Sequence, residues 1–271
     1  MLIESSVHLP VSFGMLDSLF KSPDSNEVGR IVLRWFHFVA GITWIGLLYF
    51  FNLVNVPLQK KLDADTKKKV NPDLLLPALW FFRWGALVTV LAGATYFAMF
   101  ILKSDVNNAN TLGNANLNIW VVFFEWLSYP IILFIVEFLI IKKVPALIKD
   151  GRVFAVVMLI LVGIVSFGIL KFIESKFTVG GYTPSNKLYS IGVGGAYGLV
   201  MLLNVWGIIW PNNKRALNAM RGGPPVPPER APVLARQAFI ASRTNTWMSL
   251  PMLLFMATSH GDWLIFSGKS G

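Results

Sequence analysis

The sequence contains no cysteine among its 271 residues. The chain therefore cannot form a disulfide, bind a metal or an iron–sulfur cluster through thiolates, or attach a c-type haem, whose C-x-x-C-H motif needs two cysteines. Charged residues are also scarce, at 14% of the chain, whereas 55% of the residues are hydrophobic. Because a water-soluble domain cannot bury that much apolar surface, the composition excludes a soluble enzyme and predicts an integral membrane protein.

Six apolar segments are long enough to cross a bilayer core of about 30 Å, which takes about 20 helical residues. Segments in hydrocarbon must satisfy their own backbone hydrogen bonds, so we expect all six to be helical. The last is interrupted by Pro251, which favours a kink or an early end. The predicted fold class is an all-α, polytopic bundle of about six transmembrane helices, over residues 30–55, 79–102, 119–141, 153–173, 189–210 and 244–265.

The basic residues fall in alternate loops, over 56–78, 142–152 and 211–243, which the positive-inside rule places in the cytoplasm. Both termini are then expected outside. We expect a polar extracytoplasmic arm over 1–28, one transmembrane domain over 29–265 and a short tail over 266–271. Because topology and anionic lipid explain the net charge of +10, we predict the lipid bilayer as a partner and no nucleic acid.

His37 is a polar residue within the first span, where such residues are functional candidates by default. Arg34, Gly41 and Trp44 lie on the same helix face. Gly41 is one turn from His37, and a small residue beside an imidazole would let a flat ring such as haem approach the helix. The alternative is a core histidine that is hydrogen-bonded to a neighbouring helix.

His260, at the outer end of the sixth span, is predicted at a depth similar to that of His37. Two histidines on different helices can provide both axial ligands of a b-type haem. Met256, one turn earlier, is an alternative ligand, although methionine at helical spacing is more often a packing residue. The third histidine, His8, lies in the polar arm and is expected to be solvated.

Charged side chains within the spans are expected to form pairs, because an unpaired charge in the membrane is costly. By depth we expect Arg34 to lie near Glu125, and Arg83 near Glu137. The functional interpretation makes Arg34 a partner of a haem propionate or another anion, and Glu125 a proton acceptor. The alternative is that these pairs only fix the order of the helices.

Four segments of the sequence resemble the membrane domain of the bacterial membrane-bound urate hydroxylase family, also called the urate oxidase N-terminal domain family. They are HFVAGITWIGLLYFFN (37–52), LLPALWFFRWG (75–85), NVWGIIWPNNK (204–214) and SRTNTWMSLPM (242–252), followed by Ser259-His260. The resemblance runs from about residue 29 to 262. It implies an inner-membrane protein of purine metabolism that oxidises urate and passes electrons to cytochrome c.

In that family a C-terminal cytochrome c domain follows the membrane domain, whereas these 271 residues contain no C-x-x-C-H. We therefore expect a separate acceptor, such as a cytochrome c or another subunit of a membrane complex. The predicted function is a membrane oxidoreductase or electron-transfer component with one b-type haem held by His37 and His260. The alternative is a non-catalytic subunit that packs in a larger membrane complex.

Overall fold

The computed structural model describes residues 24–260 and 265–266, in which seven helices occur. The predictions for His8 and for most of the N-terminal arm concern residues outside these ranges. The helices are α1 (Ser25–Lys61), α2 (Ala64–Gly113), α3 (Ile119–Lys143), α4 (Pro145–Lys149), α5 (Gly151–Phe177), α6 (Asn186–Met220) and α7 (Ala231–Ala257). The predicted all-α bundle is confirmed.

Five helices of the described part are long and apolar enough to cross a membrane, namely α1, α2, α3, α5 and α6. α7 has 27 residues, and at about 1.5 Å per residue it is also long enough to span a bilayer core. Its sequence is less apolar, because Gln237, Asn245, Thr246 and Ser249 form part of its buried face. It ends at Ala257, earlier than predicted, while Pro251 lies inside the helix without ending it.

Several helices extend through segments that the charge pattern placed in loops. α2 begins at Ala64 and includes Lys67, Lys68 and Lys69, because Asp63 caps its first turn by accepting a hydrogen bond from the Thr66 backbone at 2.9 Å. The Thr66 hydroxyl also binds Asp63, and this bond lowers the pKa of the Asp63 carboxyl. Lysine is a good helix former, so a run of lysines does not by itself indicate a loop.

α1 and α2 pack along one another as a hairpin, and α6 occupies the centre against α2, α3, α5 and α7. Small residues let α6 approach its neighbours closely. A Cβ on Gly194 would lie 2.9 Å from the Cβ of Phe255 on α7. On the α3 side, the Trp126 indole donates to the carbonyl of Gly192 at 2.9 Å. The glycine-rich start of α6 is therefore a packing surface.

The loop before α6 is fixed to the end of α2 by a buried carboxylate. Asp105 accepts hydrogen bonds from the Tyr182 hydroxyl at 2.7 Å and from the Ser185 backbone and hydroxyl at 2.7 and 2.8 Å. Burial first, and then the negative charge of Asp105, raise the pKa of Tyr182. This end of the bundle, which also carries His260, is called the His260 end below. The opposite end is called the Lys142 end.

Candidate functional site

His37 on α1 is oriented by two hydrogen bonds with Thr89 on α2. The His37 Nδ1 atom lies 2.7 Å from the Thr89 carbonyl oxygen, and the Thr89 hydroxyl donates to the His37 carbonyl oxygen at 2.6 Å. A carbonyl oxygen only accepts, so the Nδ1 atom carries the proton and donates. In the neutral ring the Nε2 atom then keeps its lone pair. Histidines that ligate metals are commonly held in this way.

Glycines of both helices make this contact possible, although not in the way the sequence suggested. A Cβ on Gly93 would lie 2.7 Å from Nδ1 and 2.8 Å from Cε1 of His37, so the imidazole occupies the space that a side chain at Gly93 would take. At Gly41 a Cβ would meet the Thr89 hydroxyl oxygen at 3.2 Å. The space beside Gly41 is therefore filled by α2, and Gly41 serves helix packing.

His260 follows the end of α7, and its ring is oriented by Ser259. The Ser259 hydroxyl donates to the Met256 carbonyl oxygen at 2.7 Å, so its oxygen is left to accept from the His260 Nδ1 atom at 2.6 Å. A hydroxyl carries only one proton, so Nδ1 is the donor in this contact. His260 therefore also presents Nε2 with its lone pair. The Met256 methyl group lies 3.7 Å from where a Cβ on Gly194 would be, which fits a packing role for Met256.

A polar cleft of about 310 Å³ lies at the His260 end, between α1, α2 and the start of α6. Its lining includes Arg30, Arg34, Lys187 and His260, and none of the lining residues within the described part of the chain is acidic. Arg30 also lies over the ring of Phe100, 4.9 Å from its centre. The cleft is lined by Arg30, Ile31, Arg34, Tyr96, Phe100, Ile101, Lys187 and His260. Basic side chains that line a cleft favour an anionic ligand.

The structure brings Arg34 and His260 into this cleft, whereas His37 does not line it. His37 follows Arg34 by one helical turn, so it lies deeper along the same face of α1. Trp44 lies deeper still and is 2% exposed, and its Cβ packs 3.5 Å from where a Cβ on Gly85 would be. The Trp44 indole nitrogen is buried without a hydrogen-bond partner.

The expected pairing of Arg34 with Glu125 is wrong. Glu125 on α3 instead pairs with Lys176 on α5, at 2.8 and 3.0 Å from its two carboxylate oxygens. The reason is that α3 packs against α5 and α6, whereas α1 packs mainly on α2. Hydropathy gives the depth of a residue and not the order of the helices around it.

The expected pairing of Arg83 with Glu137 is also wrong. The Arg83 guanidinium carbon lies 4.0 Å from the ring centre of Trp210 and 5.3 Å from that of Trp206. Glu137 instead accepts a hydrogen bond from Asn204 at 3.0 Å. Aromatic rings can therefore take the place of a carboxylate as partners of a cation inside a bundle.

Sequence reasoning missed Thr89, Gly93, Arg30 and Lys187. Arg30 and Arg34 are four residues apart, so their shared helix face was readable from the sequence. The roles of Lys187, Thr89 and Gly93 could not be predicted from the sequence, because nothing in the sequence shows which helix α1 packs against. Over residues 24–260, 265 and 266, no three histidine, aspartate or glutamate residues cluster as a metal site would require.

The family model described as "Urate oxidase N-terminal" matches residues 63–269. No curated protein and no solved structure matches the chain. The matched region contains Thr89, Gly93, Glu125 and His260. α1, with Arg34 and His37, precedes it.

Proposed function

Since the chain belongs to the urate oxidase N-terminal family, we propose that it is a membrane-embedded oxidoreductase component of the urate hydroxylase type. In this proposal it binds one b-type haem near the His260 end and passes electrons to an external acceptor such as cytochrome c. Its membrane is the bacterial inner membrane, and its substrate is urate or a related purine.

The observation that carries the haem proposal is the hydrogen bonding of the two histidines. His37 donates from Nδ1 to the Thr89 carbonyl, and His260 donates from Nδ1 to the Ser259 hydroxyl. Each ring therefore directs an unprotonated Nε2 away from its protein partner, which is the state that an iron ligand requires. The free lone pair on Nε2 of each histidine fits the ligands of a haem with two axial histidines.

The cleft supplies the second part of the fit. A haem carries two propionates, and Arg30, Arg34 and Lys187 are basic groups of the cleft that could bind such carboxylates. The bound haem would supply reversible one-electron transfer. Arg34 would hold an anionic group, either a propionate or the anion of the substrate. His37 and His260 would orient the ring plane.

Glu125 is the proposed proton acceptor. Both of its oxygens lie against the Lys176 ammonium group, and its side chain is 40% exposed. A carboxylate oxygen at this position could accept a proton as a general base. Glu125 is not among the lining residues of the cleft, so a proton from the cleft would reach it through water.

The test is an absorption spectrum of the purified chain, oxidised and then reduced with dithionite, together with a pyridine haemochrome assay. We expect a stoichiometric b-type signal that is lost in His37→Ala and His260→Ala and kept in His8→Ala. Met256→Leu should also keep the signal, because His260 is the proposed ligand. A colourless protein from cells with ample haem would overturn the proposal and leave the non-catalytic subunit as the function.

The substrate is tested separately in membranes that contain the haem-loaded protein. We expect urate to reduce added cytochrome c, and Arg34→Gln to weaken the reaction mainly through a higher KM. Glu125→Gln should lower kcat with little change in KM, because it removes a proton acceptor and not a binding contact. A normal haem spectrum without urate oxidation would keep the electron-transfer role and remove urate as the substrate.

A further inference from the structure

Three polar side chains from three different helices meet in the interior of the bundle. They are Glu137 on α3, Asn204 on α6 and Asn245 on α7, and each is 0% exposed. The Asn204 amide nitrogen donates to Glu137 Oε2 and to Asn245 Oδ1, both at 3.0 Å. The Asn245 amide nitrogen in turn donates to the carbonyl oxygen of Met201 at 2.9 Å.

Two oxygen atoms of this cluster, Glu137 Oε1 and Asn204 Oδ1, have no hydrogen-bond partner among the described residues. If the carboxyl group is ionised, both atoms are acceptors, and no donor of the described residues lies within hydrogen-bond distance of either. Unpartnered polar atoms at such depth are rare and costly. One proton on Glu137 turns one of the two acceptors into a donor, and it also removes a buried negative charge.

No basic side chain of the described residues forms an ion pair with Glu137. Among the charged groups on the helices packed around it, Arg83 has a buried Nε atom without a hydrogen-bond partner in the described residues. No salt bridge of the described residues joins any of these groups to Glu137. Arg83 lies over Trp210, Lys142 binds Gln237, Lys214 lies over Trp210, Arg236 binds the Ile148 carbonyl and Arg243 lies over Phe239. A charged carboxylate would therefore be held by amide hydrogen bonds alone.

A second polar cluster lies two helical turns nearer the Lys142 end. The Lys142 ammonium group donates to Gln237 Oε1 at 2.8 Å, and the Asn212 amide donates to the same atom at 3.3 Å. Gln237 lies eight residues before Asn245 on α7, and Asn212 lies eight residues after Asn204 on α6. The same helices therefore carry both clusters.

One apolar layer separates the two clusters. It consists of Ile141 on α3, Ile208 on α6 and Ala241 on α7, which are 1%, 0% and 0% exposed. Each of these residues lies four positions from a member of the Glu137 cluster. One apolar layer, and about two helical turns in all, thus separate Glu137 from polar groups at the end that the positive-inside rule predicts to be cytoplasmic.

We propose that Glu137 is a proton-binding site in the membrane interior, which exchanges its proton with the Lys142 end across the layer of Ile141, Ile208 and Ala241. The carboxylate takes one proton from water at the Gln237 layer and releases it by the same route, with no electron transferred. A metal cation is a poorer fit, because it needs several oxygen ligands and only two unpartnered oxygens are present.

The first test is an infrared difference spectrum between the wild-type chain and Glu137→Gln, both in lipid at neutral pH. We expect the carbonyl stretch of a protonated carboxyl group in the wild type, shifted in D2O and absent from the variant. Glu174→Gln is the matched control, because Glu174 is exposed and paired with Lys171. It should leave that band unchanged. A spectrum without the band would overturn the proposal.

Dicyclohexylcarbodiimide gives a test that needs no variant, since it adds to protonated carboxyl groups in apolar surroundings. We expect peptide mapping of the wild-type chain to show the adduct on Glu137 and not on Glu174. Protection of Glu137 by Na⁺ at constant pH would instead indicate a metal cation and overturn the proposal. An unlabelled Glu137 would indicate that ordered water satisfies the two oxygens. Neither experiment depends on haem, so the outcome is independent of the proposed function.

The route is tested by Ala241→Leu, which adds bulk to the apolar layer without touching Glu137. We expect the band to persist while its exchange with D2O becomes at least several-fold slower. Leu133→Met, on the other side of Glu137 along α3, is the control and should leave the exchange rate unchanged. An unchanged rate in Ala241→Leu would overturn the proposed route.

Discussion

Replacement of Gly93 by alanine tests the position of the His37 ring directly. A Cβ at this position would lie 2.7 Å from the His37 Nδ1 atom, closer than atoms in contact allow, so the imidazole has to move. The movement breaks the 2.7 Å bond to the Thr89 carbonyl, which contributes about 1 kcal/mol. Overpacking adds about 1–3 kcal/mol, and the better helix propensity of alanine returns about 0.5–1 kcal/mol.

We therefore expect Gly93→Ala to lower the free energy of unfolding by about 1–3 kcal/mol. The assay is unfolding of the purified protein in mild detergent, followed by circular dichroism. Gly163→Ala is the matched control, because Gly163 also lies inside a long helix but has nothing within 4 Å of its added Cβ. That change should stabilise the protein slightly. Equal stability of the two variants would refute the position of the His37 ring.

Three further changes probe the scaffold. Tyr182→Phe removes the hydroxyl donor to buried Asp105 and should cost about 1.5–3 kcal/mol, measured by chemical unfolding; no loss would mean that the contact is absent. Trp126→Phe removes the indole donor between α3 and α6 and should cost about 1–2 kcal/mol in the same assay, against no change for an exposed Trp120→Phe. Asp63→Ala should lower Tm at neutral pH, and the difference from wild type should shrink below about pH 4, because a carboxyl with a lowered pKa stabilises the fold only while it is ionised.

The sequence was informative about the depth of residues and poor about lateral neighbours. Long apolar segments predicted helices at the observed places, because backbone groups in hydrocarbon leave no alternative to a helix in such segments. The ends of α2 at Ala64 and Gly113 were missed. The hydropathy of the sequence falls where α2 is expected to leave the hydrocarbon core of the bilayer, but the helix continues beyond that point.

In the candidate site, too, the neighbours of a residue on other helices were not predictable from the sequence. His37 and His260 were predicted at a comparable depth, but His260 lines the cleft together with Arg34, whereas His37 does not. The partner of His37 was not predictable, because the Thr89 carbonyl is a backbone group that every residue possesses. The partners of Glu125 and Arg83 were wrong for a related reason, since residues at equal depth on different helices are neighbours only if those helices touch.

The π-helical turn at Val205–Ile209 has a consequence for how α6 tolerates changes of length. In a regular α-helix, eight residues sweep about 800°, so Asn204 and Asn212 would point about 80° apart. The wider turn winds less per residue and brings both amides toward α7, where each finds a partner. Deletion of one residue within 205–209 would place the two asparagines seven positions apart, and seven residues of a regular α-helix sweep about 700°. The two halves of α6 would keep their neighbours, so this turn is where α6 can lose one residue without reordering the interior of the bundle.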